Sequence, residues 1–384
     1  MFTLYSNVFS FNILLIYMQK CFVLGVFLFI AFALQAQEKK QNVFLHPDKF
    51  YNKYFPHLKI KYNPSDSNYI KTYPKSYATV AMHLFSPTVY INMEPRGVLQ
   101  ASSQFRTNIK TITGFSFSYR YVTAGFALSL LPPIGDPPNY TSTKYRTATI
   151  KYKSPIYVLT FKFMKVHGMT DINAFNSLDT TQNIVSRRDI TIKEYMFEGI
   201  YNFNWKKYSY LSTLDLTEAQ IKSHLGFMLK AGIYNQQFYG DSNLLSVPQR
   251  TYFEGYNNIT KIVGYNIKFS PGIGGNLVIK KHFYAAISIF SPLNLYINRL
   301  YSTDDKVLHK ETILQWVLDG SASMGFQSKR FFAAVRFELD GRKAALNNVR
   351  YTSAYNYIGL DIGYRFIAPV IMKKFYKDTM PPGM

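Results

Sequence analysis

From residue 77 to residue 366 apolar and polar positions alternate with a period of two, and no segment sustains helical periodicity over three turns. In 114–121, Phe115, Phe117, Tyr119 and Tyr121 share one face, and Ser116, Ser118 and Arg120 share the other. In 123–130, Ala124, Phe126, Leu128 and Leu130 oppose Gly125, Ala127 and Ser129. The change of parity between these runs predicts a tight hairpin near 120–123. The same alternation places Tyr157, Leu159, Phe161 and Phe163 together, then Tyr195, Phe197, Tyr201, Phe203 and Trp205. It returns as Leu314, Trp316, Leu318, Ala322, Met324 and Phe326, and as Phe331, Ala333, Val335, Phe337 and Leu339. These are strands with one apolar face and one polar face.

A soluble sandwich alternates too. Here the apolar face is unusually aromatic, and its rings cluster near strand ends, as in an interfacial girdle. The connections are also asymmetric. Basic steps at Lys206-Lys207, Lys280-Lys281 and Lys329-Arg330, with Lys153-Ser154 and the step near Arg120, read as short turns. Longer loops are predicted over 132–142, 168–188, 235–258, 295–311 and 341–352. Short turns at one end and longer loops at the other predict an all-β fold, a transmembrane antiparallel up-and-down β-barrel. Twelve strands are expected, at 77–93, 99–119, 122–131, 143–152, 155–166, 189–204, 208–234, 259–279, 282–294, 312–327, 331–340 and 353–366. The segment 208–234 fits one long bent strand or three short ones, which widens the expected count to between ten and fourteen.

Composition agrees with this reading. The chain is 47% hydrophobic and 17% aromatic, with 32 Tyr and 32 Phe, while only 17% is charged, against roughly 25% in ordinary soluble proteins. Residues 22–36, FVLGVFLFIAFALQA, follow Lys20 and end in small residues, as a secretory signal peptide does. Cleavage is expected after Ala36, so 1–36 is read as a signal peptide, with Met18 as an alternative start. Residues 37–76 are basic and weakly patterned and are read as a periplasmic leader, 77–366 as the barrel and 367–384 as a C-terminal tail. The single cysteine, Cys21, lies in the segment to be removed, which excludes disulfides and thiolate metal sites from the mature chain. The net charge of +22 would suit nucleic acid, but export and the spread of the lysines oppose that partner. Anionic outer-membrane lipids suit it better.

The last strand, YNYIGLDIGYRF (355–366), resembles the terminal strand read by barrel-assembly machinery, through Tyr357, Gly359, Ile362, Tyr364 and Phe366. An 18-residue tail follows it, which departs from that pattern. The phrases GFSFSYRYVTAGFAL, KKYSYLSTLDLTEAQIKSHLGFML and FSPGIGGNLVIKKHFYAAIS resemble an uncharacterised family of outer-membrane proteins from Bacteroidota, domain-of-unknown-function family 4421. The resemblance runs over about residues 77–366. It implies a barrel and a location, the cell outer membrane, but does not imply an activity; the terminal strand and the basic charge add the assembly machinery and membrane lipids as expected partners.

Candidate chemistry lies on the polar faces. Six bases, Arg120, Lys151, Lys162, Lys268, Arg336 and Arg365, and six acids, Glu194, Glu198, Asp319, Glu338, Asp340 and Asp361, are assigned inward. Equal numbers predict a nearly neutral, ion-paired filling. Arg336, Glu338, Asp361, Arg365, Glu194 and Glu198 form the candidate lumen cluster, serving a structural, binding or restricted-transport role. A small-solute channel is the alternative. A lipid-acting enzyme is a weaker one: the seven histidines, among them His167 and His282, show no metal-binding spacing, and no G-x-S-x-G elbow occurs. The glycine-rich PGIGGN (271–276) lacks phosphate-loop spacing and reads as small residues within a strand. No catalytic residue, cofactor or metal is assigned.

Overall fold

The computed structural model describes residues 65–379 except 75, 96–101, 110, 130–139, 175–182, 254, 281 and 347–348. The expected signal peptide and the leader up to residue 64 lie outside the described residues. By backbone proximity the chain divides into a unit of residues 65–367 and a second unit that includes 368–384. Among the described residues no helix is long and apolar enough to cross a membrane.

The first unit is a closed ring of twelve antiparallel strands. In chain order these are β2 (Tyr77–Pro95), β4 (Ile112–Tyr119), β5 (Val122–Leu128), β6 (Lys144–Lys153), β7 (Tyr157–Ala174) and β8 (Asn183–Asn202). They continue with β10 (His224–Tyr239), β11 (Ile259–Ile279), β12 (Phe283–Phe290), β15 (Asp319–Gln327), β16 (Phe331–Leu346) and β17 (Val349–Ile367). Each pairs with the next, and β17 pairs with β2 along the whole length of both. Four more strands lie off this ring: β1 (Ile70–Thr72) with β9 (Glu218–Gln220), and the hairpin β13 (Leu293–Ser302) and β14 (Val307–Trp316), which continues from the first half of β11. A fifth, β3 (Ser103–Arg106), bridges β2 directly to β7, bypassing three ring strands.

Most of the residues expected outward do face out, whereas Tyr119 and Trp205, expected on the same face, are buried. Phe126, Ile150, Phe161, Phe197, Phe337, Met324 and Trp316 are all exposed, opposite polar residues on the inner face. Toward the long-loop end, however, polarity reverses along the same strand. On β7 the outward series Leu159, Phe161, Phe163 gives way to Lys165 and His167, while the inward Thr160 and Lys162 give way to the buried Met164 and Val166. On β8 outward Phe197 and Tyr195 are followed by Lys193, and inward Glu198 and Glu194 by buried Ile192 and Ile190. Half of β7 and of β8 therefore has an apolar outside, and the other half has an apolar inside.

This reversal explains where the expected boundaries fail. The segment 341–352, read as a loop, is strand at 341–346 and 349–352, with Leu346 opposite Val349. Likewise 295–311 holds most of a hairpin, and 168–188 extends β7 and β8. Along β7 and β8 the change of polarity at Lys165 and Lys193 hid the continuation of the strands. The single strand expected at 99–119 is two, β3 and β4, and that expected at 282–294 ends at Phe290, two residues before Pro292.

The inward apolar residues of the long-loop end form one core. It includes Ile91, Met93, Phe105, Met164, Val166, Ile190, Ile192, Phe238 and Tyr351. Leu244, Leu245, Phe253 and Tyr256, from the connection carrying a 3-10 turn at Pro248–Tyr252, pack into it from above. Arg187 pins that connection, donating to Asn243 O (2.9 Å) and Leu244 O (3.0 Å) while pairing with Asp189 at 2.8 Å.

The short-turn end is filled differently. Residues 203–223, expected to begin a strand at 208, form an insert with one helical turn, α1 (Leu211–Leu214), and β9. The ring strand β10 starts only at His224. The insert is enclosed on several sides, so its sequence shows no period of two. The end of the expected leader is built into it: β1 pairs with β9, and Tyr73 Oη donates to Ser328 O at 3.1 Å. Lys206-Lys207 lies in a turn, Lys207 N donating to Asn204 O at 2.9 Å, but that turn opens the insert and does not join two ring strands. Arg120 and Lys280 do lie at tight turns, with φ of 50° at each. In the second unit, Val370–Thr379 form a helix, α2.

Candidate functional site

Between the apolar core and the insert lies a polar lumen with a cavity of about 280 Å³. Five of the six candidate residues, Glu194, Glu198, Arg336, Glu338 and Asp361, line it. Arg365 does not; it sits at the short-turn end and is 1% exposed.

Arg336 on β16 and Asp361 on β17 are joined at 2.8 Å, as adjacent inward positions on paired strands allow. Arg336 also donates to Leu214 O (2.7 Å) and Thr213 O (3.1 Å), tying the ring to α1. Glu198 accepts from Tyr234 Oη and lies 4.0 Å from Lys230 Nζ. Glu194 accepts from Gln236 Nε2 at 3.2 Å. Asp319 sits between Lys268 (2.7 Å) and Lys230 (3.3 Å), and Lys268 reaches on to Asp340 at 3.2 Å. Lys162 stands 4.7 Å over the Tyr355 ring. Charges removed from water are thus paired in kind, as their desolvation cost requires.

The insert is held by charge and by shape. Asp215 accepts from Lys151 at 2.7 Å and from Lys153 at 3.2 Å. Burial by itself would raise the Asp215 carboxyl, but the two ammonium groups outweigh it and hold the acid well below the usual carboxylate range. Glu218 is pushed up by burial, which outweighs the bond it accepts from Ser209 Oγ at 2.5 Å and the charge of Lys153. Arg365 donates to Leu216 O and to Ser328 O (2.8 Å), and its guanidinium lies 3.9 Å over the Tyr73 ring. Leu216 adopts a left-handed φ of 55°. Its carbonyl accepts from both Arg365 and Gln327, which offsets a backbone cost of about 1–2 kcal/mol.

Tyr208 of the insert, 1% exposed, lies against Gly226 and Gly274, which face each other across β10 and β11. A Cβ at either glycine would run into its ring. This is the use of the glycines in PGIGGN: close approach of a side chain, with no phosphate cradle. Gly274→Val is therefore expected to lower the urea midpoint of the refolded protein, by about 1–3 kcal/mol of overpacking. Adding Tyr208→Ala should recover much of that loss, and the non-additivity is the measurement.

Several lumen residues were not assigned from the sequence. Asp215 and Lys230 fell within the segment of ambiguous strand count. Lys153 was read as a turn residue, but it is 2% exposed and faces in. Arg120, expected inward, lies at the β4–β5 turn against the Tyr119 ring at 5.6 Å. His83 is the other omission. It lies 2.7 Å from Asp361 Oδ1 through Nδ1 and 2.8 Å from Ser116 Oγ through Nε2. That line could pass a proton from serine to imidazole. However, β4 is paired on both sides at Ser116, so the backbone N–H groups there are committed to the ladders and cannot form an oxyanion hole. His282 Nδ1 donates to the Gln327 backbone oxygen (3.1 Å) and His167 contacts Thr191 Oγ1 (2.9 Å), both in structural settings. Among the described residues no group of three or more His, Cys, Asp or Glu could hold a metal ion.

Solved structures similar to this chain include an outer membrane channel from Pseudomonas putida F1, at 11% identity and a TM-score of 0.35 over 80% of this chain and 100% of that one. The translocator domain of the autotransporter NalP from Neisseria meningitidis matches at 10% identity and 0.35, over 76% and 90%. The outer membrane protease OmpT from Escherichia coli matches at 9% and 0.31, over 77% and 98%. At these scores the likenesses carry no functional assignment. No curated protein matches the sequence. A family model described as Domain of unknown function (DUF4421) matches residues 64–366, a span that holds the ring, the insert and β1, and the chain belongs to that family.

Proposed function

We propose that this protein is an outer-membrane β-barrel whose lumen is closed, with a structural or binding role and no catalytic site. The observation that carries it is the exposed apolar belt around a polar, ion-paired interior. Phe126, Ile150, Phe161, Phe197, Ile233, Ile287, Leu314, Val335 and Ile358 all face out and are exposed. In water this surface would be an extreme liability. In hydrocarbon it is the favoured arrangement, and ring closure pairs each of the twelve ring strands on both sides. The ring strands that run 16–21 residues exceed the roughly ten needed to span. The half with the apolar outside is read as the membrane span, and the half with the apolar inside as a watery extension. Export through a cleaved signal peptide, contact with membrane lipids and reading of the terminal strand by the assembly machinery belong to this proposal.

The apolar core at one end and the insert at the other favour a silent lumen over a small-solute channel. Unboiled protein is expected to migrate differently from boiled protein on a gel and to float with lipid vesicles. Planar-bilayer recordings of it are expected to show no regular conductance steps. Identical mobility with no flotation would remove the membrane reading, and steady ohmic steps would replace the closed lumen with a channel.

A further inference from the structure

On the outer wall, where the apolar belt gives way to polar residues, three cations stand side by side. Arg146 on β6 is in register with Lys165 on β7, and Lys165 with Lys193 on β8. One step beyond, Lys144 is in register with His167. All five face away from the core residues Tyr145, Met164, Val166 and Ile192 that alternate with them. Like charges directly opposite on neighbouring strands repel. No acid stands in register with any of the three: Leu128 lies beyond Arg146 and Gln237 beyond Lys193. Asp189, four residues from Lys193 on the same strand, is engaged by Arg187 through bonds of 2.9 and 2.8 Å. Lys193 rests 5.2 Å over the Tyr239 ring, a contact that positions its charge without neutralising it. The opposite wall differs. Where β2 leaves the belt after Leu84 its outward residues are Ser86 and Thr88, and β17 follows Ile358 with Asn356.

Immediately below the cations, on the lipid side, comes a row of rings. Phe163 and Tyr195 have centroids 5.1 Å apart, and Ala148 lies in register between Phe126 and Phe163. A small residue flanked by two large ones makes a shallow slot at the level where an acyl chain would meet its headgroup.

We infer that the β6–β8 wall is a binding site for a phosphate-bearing lipid of the leaflet at the long-loop end, with Arg146, Lys165 and Lys193 on the headgroup phosphate and the Phe126–Ala148–Phe163 slot against an acyl chain. The inference rests on the membrane reading above. It answers a fact that reading leaves open: why three cations are set against one another on adjacent strands. A headgroup anion between them turns mutual repulsion into shared attraction, and Arg146 can grip phosphate oxygens in bidentate fashion.

The test uses the full refolded chain in mixed micelles of phosphatidylcholine and phosphatidic acid, with native mass spectrometry counting retained lipid. The wild-type protein is expected to retain phosphatidic acid preferentially, and the preference should fall as salt is raised. The variant Arg146→Ala/Lys165→Ala/Lys193→Ala is expected to lose that preference by roughly 100-fold, about a factor of five for each cation. A control that removes basic residues from short turns, Lys280→Ala/Lys329→Ala, should keep it. In phosphatidylcholine alone, Lys165→Ala should be more stable than wild type, because one repelling neighbour is gone from each side. Equal retention by triple variant and wild type, both shifted on unboiled gels, overturns the inference and leaves the barrel standing. Equal loss in the short-turn control also overturns it, as bulk charge would then suffice. A wild-type chain that neither shifts nor floats overturns both readings.

Discussion

Asp215→Asn is expected to lower the unfolding free energy of the refolded barrel by about 3–5 kcal/mol, the range for breaking a buried ion pair from one side. The carboxylate is the shared partner of Lys151 and Lys153, at 2.7 and 3.2 Å, and Lys153 is 2% exposed. Asparagine keeps the size but removes the charge, leaving two ammonium groups facing each other in the lumen. Adding Lys153→Met should recover part of the loss, because an unpaired buried charge is then replaced by an apolar group of similar length. The pH dependence gives a further check. The folded carboxyl is held below its ordinary value of about 3.9, so its contribution is complete above that pH and is lost only as pH falls through the folded value. Urea midpoints of wild type and variant should therefore differ by a constant amount from pH 5 to pH 8. The gap should close only in strong acid. A gap that narrowed between pH 5 and pH 7 would mean that this carboxylate is not the partner that matters.

The second large effect is expected at the other end of the lumen. Phe105 and Phe238 are both fully buried, with ring centroids 5.3 Å apart, where β3 crosses under the connection that follows β10. Either one changed to Ala should cost about 3–5 kcal/mol, as for large aromatics removed from a packed core. Because the rings touch, the double variant should cost less than the two singles added together. This core acts as a lid, so its loosening should also speed proteolytic cutting between 240 and 258, which limited digestion followed by mass spectrometry reads directly. Gln237→Ala, one residue away but outward, is the control and should change neither. If the phenylalanine variants were as stable as wild type, the long-loop end would not be a packed core, and the closed lumen would lose one of its two seals.

The lumen pair Arg336–Asp361 was legible because both residues hold the inward parity of neighbouring final strands. The contact of His83 with Asp361 was not, since 278 positions separate them and only ring closure sets β2 beside β17. Asp215 escaped for a different reason. Its segment touches protein on several sides, and a chain surrounded by protein carries no periodic signature of which side is which.

What the amino-acid order determines alone is the two-faced sheet: a period of two with aromatic residues on one side assigns residues to faces, because a slip of one residue would put every ring inside and every charge outside. It also marks the tight basic turns near residues 120, 280 and 329. What only the tertiary structure decides is how the ring is filled. Alternation says that two faces differ, but not which medium meets each face, so the reversal of polarity along β7 and β8 turned expected loops into strands. The closing core and the insert are built from residues far apart in the chain, whose partners exist only after the sheet has joined end to end.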